Sequence, residues 1–181
     1  MRRDHGLIIE ALEIAFMLLT ALMLAYTIRH YIFTITVLRK KNNASLSVHE
    51  TFEPTVTILI PAHNEEKVVG RLLKRITELT YPRSKMQVII INDASVDNTG
   101  KIADEYSQAN PFIQVIHRVQ GLGGKGKAYA MNAGFKLATG EIVLCFDADY
   151  YPQKDIIEKL TGAFIDPKVG AVQGRVVVLN E

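Results

Sequence analysis

Short β-branched segments alternate with amphipathic segments from Thr55 to the end of this chain. TVTILI, MQVIII, FIQVIH and EIVLCF are almost continuously apolar, which is typical of strands buried on both faces of a sheet. Between them, apolar residues recur at helical spacing, and the connections are short. Repeated strand–helix units of this kind predict an α/β fold with a mostly parallel, doubly wound sheet.

The same pattern predicts the bounds of the individual elements. Five strands are expected at 55–60, 86–91, 112–117, 141–146 and 169–179. The first helix is expected to be capped by Asn64, with Glu65 and Glu66 in its first turn, and to end before Pro82. Further helices are predicted to end at Gln108 and to cover about 126–138 and about 154–164.

In such sheets, ligands bind outside the carboxyl ends of the strands. The polar groups that follow the first four strands should therefore lie along one edge. These groups are His63 and Asn64, then Asn92 and Asp93, then the loop 118–127, and last Asp147 and Asp149.

Asp147 and Asp149 end the fourth strand one residue apart, in the segment LCFDADYYP. Residues i and i+2 of an extended chain point to the same face, so the two carboxylates converge. Their mutual repulsion is relieved by a positive charge, and oxygen ligands suit a hard cation such as Mg²⁺ or Mn²⁺. The alternative is a solvated aspartate-rich turn.

The loop GLGGKGKA, at 121–128, matches two phosphate-binding patterns incompletely. It fits G-x-G-x-x-G, but after the third strand instead of the first, and it fits G-x-x-x-x-G-K with Ala128 where a hydroxyl is required. Flexible backbone, a helix amino terminus, Lys125 and Lys127 still suit an anionic diphosphate. A surface loop with solvated lysines is the alternative.

The segment from Ala11 to Ile28 is apolar with Glu13 as its only charge, and apolar residues flank it on both sides. The whole region exceeds the ~20 residues that cross a bilayer. It is also longer than a signal-peptide core and lacks a small-residue cleavage site. A buried core helix would seldom lack a polar face over such a length. We therefore predict a transmembrane anchor at 1–38, a linker at 39–54 and a folded domain at 55–181.

Basic residues predict the orientation of this anchor. Arg29, Arg39, Lys40 and Lys41 follow the apolar segment, whereas only two arginines precede it. The positive-inside rule then places the anchor in the cell membrane and the domain in the cytoplasm.

Composition excludes some function classes. A net charge of +2 without a dense basic run argues against nucleic acid as a partner. The single cysteine, Cys145, can form neither a disulfide framework nor a zinc site, and its apolar surroundings predict a buried core thiol in a reducing compartment.

Taken in order, four motifs resemble the family-2 glycosyltransferases. They are TILIPAHNEE, VIIINDASVDNT, GKGKAYAMNAGFKLATGEIV and FDAD, the last as a DxD motif. The resemblance covers about Val56 to Val178. It departs at Asn92, where the family commonly has Asp, and at Ala94, where it commonly has Gly.

The resemblance implies a GT-A, Rossmann-like fold and a membrane-associated enzyme similar to the synthases of poly-N-acetylglucosamine, cellulose and hyaluronan. Such an enzyme moves a sugar from a UDP-type nucleotide sugar to a hydroxyl of a growing glycan or lipid. It implies Mg²⁺ or Mn²⁺ at Asp149, assisted by Asp147, and base recognition by Asp93. The full set of implied nucleotide-sugar residues is Pro61, Ala62, Asn64, Glu65, Asp93, Lys127, Asn132 and Asp147.

The resemblance also implies a general base in a later motif, which we expect beyond Glu181, in a longer synthase of which this chain is the amino-terminal portion. His63 is expected to be structural or to pack against the base. Two alternatives stay open. One is a membrane-tethered protein that binds ATP or NAD through the glycine-rich loop, and the other is a fragment that binds a nucleotide sugar without catalysis.

Overall fold

A computed structural model describes residues 2–39, 52–119, 121, 123–124 and 126–177. They belong to two compact units, Met1–Ser45 and Leu46–Glu181. Most of the predicted linker, including Lys40 and Lys41, lies outside the described residues, as do Lys125 and the end of the chain after residue 177.

In the first unit, the described residues form one long helix, α1 (Arg2–Arg39). Its segment Leu12–Thr36 is long and apolar enough to cross a membrane by length and composition. Every side chain described in α1 is exposed, so this is not the buried core helix of a globular unit. The hydroxyls of Thr20 and Thr27 each donate to a carbonyl one turn earlier, over 2.8 Å, which satisfies these polar groups within the helix.

The second unit contains a four-stranded sheet in its described part. Its strands are β1 (Val56–Ala62), β2 (Met86–Asp93), β3 (Ile113–Arg118) and β4 (Ile142–Cys145), in the order β3-β2-β1-β4. All neighbouring strands are parallel. The predicted α/β class with a mostly parallel sheet is therefore confirmed. The order of strands reverses between β1 and β4, and ligands of α/β sheets bind at such a point.

Helices cover both faces of this sheet, which confirms that it is doubly wound. They are α2 (Val69–Thr77), α3 (Thr99–Ala109), α4 (Lys127–Phe135) and α5 (Ile156–Thr161), with 3₁₀ turns at Arg83–Lys85 and Gly162–Ile165. The larger core joins α2, α3 and α5 to the sheet through residues such as Ile60, Leu72 and Ile157, none of which is exposed. Burial of each such side chain stabilises the folded state by about 1.5–3 kcal/mol.

The smaller core lies under α4 on the other face. Ala130 packs there with Leu59, Ile89 and Ile91. The helix approaches the sheet so closely that a Cβ at Gly134 would lie 2.8 Å from the Ile91 side chain. This contact fixes the height of α4 above the sheet, and with it the position of the first turn of that helix.

The first predicted helix begins later than expected, because Asn64 is not its cap. The helix α2 begins at Val69 and has no side-chain cap. Asn64 is in the left-handed region, with φ +57°, and its side-chain oxygen accepts from the Val96 N–H instead. A contact with a distant loop thus replaces the local cap.

Two further predictions are wrong. The described part of the predicted fifth strand, 169–177, is not a strand, and its Gly170 and Gly174 have low strand propensity. Cys145 is exposed instead of buried. Leu144 and Phe146 on either side of it are buried in the larger core, so Cys145 lies on the opposite face, where α4 does not cover it. The helices predicted at 126–138 and 154–164 are present but shorter.

Candidate functional site

A cavity of about 440 Å³ lies at the carboxyl edge of the sheet. The ends of β1, β2 and β4 and the first turn of α4 form its wall, so the structure brings the predicted sets of polar residues to one place. It is lined by Pro61, Ala62, His63, Glu65, Asp93, Gly124, Gly126, Lys127, Ala130, Asp147, Ala148 and Asp149.

At one end of the cavity, Asp93 is held by an arginine. The Arg118 Nη1 donates to Asp93 Oδ1 over 2.5 Å, and the two side chains are 12% and 6% exposed. The two residues are register partners at the ends of β3 and β2. A Cβ at Gly123 would lie 2.8 Å from the Ala94 Cβ and 3.1 Å from Asp93 Oδ1, so the glycine-rich loop packs directly on this pair.

The neighbouring Asn92 uses both ends of its amide. Its oxygen accepts from the Ser95 N–H (3.2 Å), and its nitrogen donates to His117 Nδ1 (3.0 Å). The other ring nitrogen of His117 donates to Asp104 (2.9 Å). A Cβ at Gly100 would lie 2.6 Å from the Asn92 nitrogen, so any other residue there would displace the Asn92 amide. An ionised aspartate at position 92 could only accept, so it would bond to this ring only through a protonated Nδ1.

His63 connects the end of β1 to the end of β2. Its Nδ1 donates to the carbonyl of Asp93 (2.7 Å), since a carbonyl can only accept. Its Nε2 then accepts from the Asn64 amide (3.1 Å). Both ring nitrogens are engaged within the protein, and this arrangement favours a structural role over that of a base.

The loops after β1 and β2 are also tied together by backbone groups. The Glu65 N–H donates to the Thr99 hydroxyl (2.8 Å), and the Glu66 N–H donates to Asp97 (3.1 Å). Burial raises the pKa of Asp97, but hydrogen bonds from the hydroxyl and the backbone N–H of Thr99 lower it by more. The pKa of Asp97 therefore lies below its ordinary value. The carboxylate form of Asp97 therefore stabilises the junction of the two loops.

At the other end of the cavity, the carboxylates are open to solvent. Asp147 and Asp149 are exposed, whereas Ala148 between them is 4% exposed and lies in the larger core. The strand β4 ends at Cys145, so both aspartates lie in the turn that follows it and not in the strand itself. Their convergence on one face stays a prediction. The Lys127 ammonium, on the first residue of α4, forms an ion pair with Asp147, and the two side chains are 60% and 61% exposed.

The backbone beside Lys127 is shaped by two glycines. Gly124 and Gly126 have φ values of +73° and +95°, a region that side chains other than glycine rarely adopt. Gly126 directly precedes α4, and it lines the cavity together with Lys127, so the amino terminus of this helix borders the cavity. Such a terminus is suited to an anion.

The aspartate pair fits a divalent cation that shares its coordination with a ligand. No group of three or more His, Cys, Asp or Glu among the described residues is arranged to enclose a metal. Mg²⁺, however, is usually bound by one or two carboxylates together with phosphates of the substrate. A lysine ammonium on Asp147 shows that this carboxylate already attracts a cation. Two hard oxygen donors at an open edge are therefore the expected protein share of such a site.

The remaining predicted residues differ in position. Pro61, Ala62 and Glu65 line the cavity, whereas Asn64 and Asn132 are exposed outside its lining. Arg118 was not predicted individually, although its place at the end of β3 satisfied the same rule that selected the others.

A parallel α/β sheet with an acidic, glycine-bordered cavity at the carboxyl edge of its strands is the arrangement of nucleotide-binding α/β folds, and similar solved structures place this chain in the GT-A class among them. Residues 57–181 match the model of the family described as "Glycosyl transferase family 2". The chain belongs to this family, and the predicted membership is confirmed.

Two relatives illustrate the sequence similarity. The "Probable glycosyltransferase YdaM" of Bacillus subtilis is 41% identical over 128 residues, which are 70% of this chain and 30% of the relative. The "Beta-monoglucosyldiacylglycerol synthase" of Synechocystis is 36% identical over 128 residues, 71% of this chain and 26% of the relative. The chain thus spans less than a third of the length of these relatives.

Solved structures show the same fold. A mannosyltransferase from Pyrobaculum calidifontis, in complex with GDP-Man and Mn²⁺, has a TM-score of 0.68 and 30% identity, covering 83% of this chain and 43% of its own. Staphylococcus aureus TarS in complex with UDP-GlcNAc has a TM-score of 0.55 and 28% identity, covering 69% of this chain and 37% of its own.

Proposed function

We propose that this chain forms the nucleotide-sugar half of a metal-dependent glycosyltransferase that moves a sugar from a UDP-type donor to a hydroxyl acceptor. One observation supports this most directly: a single cavity joins a buried, arginine-held carboxylate to an exposed carboxylate pair beside a glycine-rich helix start. A nucleotide diphosphate has a matching sequence of groups, with a base at one end and an anionic diphosphate at the other.

The buried end is proposed to bind the base. Asp93 accepts a hydrogen bond from a ring N–H, such as N3–H of uracil, and Arg118 keeps the carboxylate oriented. Pro61 and Ala62 at the end of β1 form the wall against which the base lies. Glu65, held through its backbone by Thr99, lines the same cavity, and Asn64, held by Val96, is assigned to the nucleotide sugar on family resemblance alone.

The exposed end is proposed to bind the ribose and the diphosphate. Asp147 accepts from a ribose hydroxyl, and Asp149 with Asp147 holds Mg²⁺ or Mn²⁺. Lys127 exchanges its partner Asp147 for a phosphate oxygen, and Asn132, further along α4, is assigned to the nucleotide sugar on family resemblance alone. A bound divalent ion stabilises negative charge on the leaving diphosphate.

The class of acceptor and the cellular location are proposed from the names of the relatives and from the apolar helix α1. The family includes relatives named as glycolipid and polysaccharide synthases, which favours a lipid or growing glycan as acceptor. The exposed apolar helix α1 favours a membrane anchor at 1–38, a linker at 39–54 and a cytoplasmic domain at 55–181. The general base is placed after Glu181 on family resemblance and stays a prediction.

Calorimetric titration of the full chain in detergent tests the proposal. UDP, GDP, ADP and NAD are each titrated with Mn²⁺ and again with excess chelator. We expect UDP to bind most tightly, only with the metal, and Asp149→Asn to remove the metal dependence without loss of fold. Asp155→Asn, a surface aspartate paired with Lys159, is the matched control and should behave like the wild type. Equal UDP binding in chelator would contradict the metal site, and a preference for ADP or NAD would contradict the function.

A further inference from the structure

The segment that follows the aspartate pair has no regular secondary structure, yet it is held by several specific contacts. Residues 150–153 belong to neither helix nor strand. A turn bond from the Tyr150 N–H to the Asp147 carbonyl (3.0 Å) begins this segment, and the Tyr150 ring packs on Phe146 with centroids 5.1 Å apart. The next two residues, Tyr151 and Pro152, contact the helix α2.

Arg75 of α2 holds this segment at two adjacent residues. Its Nε donates to the Pro152 carbonyl over 2.8 Å, and its guanidinium lies 4.5 Å from the centre of the Tyr151 ring. The Arg71 guanidinium is 5.8 Å from the same ring. A planar guanidinium can donate and stack at once, which a lysine ammonium cannot do with the same geometry.

Other groups orient Arg75 itself and the end of the segment. Arg75 Nη1 donates to Glu78 over 3.0 Å, and this hydrogen bond is the main reason that the pKa of Glu78 lies below its ordinary value. The N–H and hydroxyl of Thr80 both donate to the Lys154 carbonyl, each over 3.0 Å. The Arg75 side chain is only 18% exposed, so it is enclosed by these partners and not simply extended into solvent.

We propose that Arg75 is a positioning residue for the divalent-cation site. By fixing Tyr151 and Pro152, it fixes the exit of the turn whose third residue is Asp149, and so presents that carboxylate at the cavity. This inference rests on the proposed function, in which Asp149 binds the cation. Groups that orient metal ligands typically change metal affinity about 10–100-fold when they are removed.

A second arginine provides a matched control. Arg83 also donates to backbone carbonyls, those of Ile76, Thr77 and Leu79, and its guanidinium lies 4.9 Å from the Phe112 ring. It has the same two kinds of contact as Arg75, but none of its partners belongs to the segment 150–153 that follows Asp149. Loss of Arg83 should therefore lower stability without changing the cation site.

The test measures Mn²⁺ affinity by electron paramagnetic resonance on the full chain in detergent, with saturating UDP. We expect Arg75→Met to weaken Mn²⁺ binding about tenfold or more and to broaden the bound Mn²⁺ spectrum. Arg75→Lys, which keeps a charged donor group but not the planar guanidinium, should recover part of the affinity, and Tyr151→Leu should weaken it less than Arg75→Met. Arg83→Met, or Arg83→Lys if the methionine variant does not fold, should bind Mn²⁺ like the wild type.

The outcomes separate this inference from the proposed function. Unchanged Mn²⁺ affinity in Arg75→Met, or an equal loss in the Arg83 variant, would overturn the positioning role while the wild-type titration still supports the metal site. Absence of UDP-dependent Mn²⁺ binding in the wild type would instead refute the proposed function, and the positioning role with it.

Discussion

At one end of the cavity, Asp93 and Arg118 are 6% and 12% exposed and share a hydrogen bond of 2.5 Å; at the other, Asp147 and Lys127 are 61% and 60% exposed. Both pairs join a carboxylate to a cation, but only the first is enclosed by the sheet and by the packed glycine-rich loop. The fold alone determines the buried pair. In the exposed pair, both side chains extend into solvent, so either one can exchange its partner.

This difference indicates how the two ends are used. A buried, oriented carboxylate can recognise a base without rearrangement, because its desolvation is already compensated by Arg118. The exposed lysine and the two exposed aspartates have no such enclosure. Under the proposed function, we therefore expect the base end to be preformed and the diphosphate end to be completed by its ligands.

The largest expected effect is the loss of unfolding free energy when the buried pair is broken. Arg118→Met leaves Asp93 buried without its cation, which typically costs about 3–5 kcal/mol. Urea unfolding of the full chain in detergent measures this loss. Arg118→Lys, which keeps the charge but not the guanidinium geometry, should lose less. An unfolding free energy of Arg118→Met equal to that of the wild type would show that the base end is not preformed by this pair.

Breaking the exposed pair should have little effect on stability but a clear effect on UDP binding. Lys127→Met is expected to change the unfolding free energy by less than about 1 kcal/mol, since exposed ion pairs contribute little. The same change should weaken UDP binding in the presence of Mn²⁺ by about 1.5–3 kcal/mol, the contribution of a hydrogen bond to a charged group. Lys136→Met, at an exposed lysine just after the same helix, is the control and should alter neither quantity. A stability loss in Lys127→Met as large as that in Arg118→Met would remove the contrast between the two ends.

The smallest effect concerns the turn next to Asp93. Ala94 has φ +58°, in a region that costs a residue with a Cβ about 1–2 kcal/mol. Ala94→Gly removes this cost but increases the entropy of the unfolded chain, so we expect a net gain of up to about 1 kcal/mol. Thermal unfolding measures it, and Ala103→Gly in the middle of α3 is the opposite control, which should lower stability. A lower stability of Ala94→Gly would show that the turn is not strained.

The sequence was sufficient to predict what local patterns determine. The β-branched segments became strands in a parallel sheet, and Asp147 and Asp149 are both exposed on either side of the buried Ala148. The carboxyl-edge rule then brought these residues to the same cavity as Asp93. The sheet and its carboxyl edge depend only on the strand period and on the direction of the strands, whereas the two aspartates lie in a turn just after β4.

Contacts between distant segments could not be predicted in the same way. The pairing of Asp93 with Arg118 depends on the register between β2 and β3, and the contact of Arg75 with Pro152 joins residues 77 positions apart. Asn64 has the local preference of a helix cap, but bonds to the loop after β2 replaced that role. The exposure of Cys145 depends on how far α4 extends over the sheet, which its own apolar neighbours do not reveal.

The central claim, that the base end is preformed and the diphosphate end is completed by a cation, is tested most directly by comparing uridine with UDP. Binding of each to the full chain in detergent is measured by NMR titration, with Mg²⁺ and then with excess chelator. Uridine contains the base and ribose but no diphosphate. We predict that its affinity is the same in both conditions, whereas UDP binds more tightly with Mg²⁺ by about tenfold or more, a difference of about 1.4 kcal/mol. Uridine binding that requires Mg²⁺, or UDP binding that is unchanged by the chelator, would contradict the account.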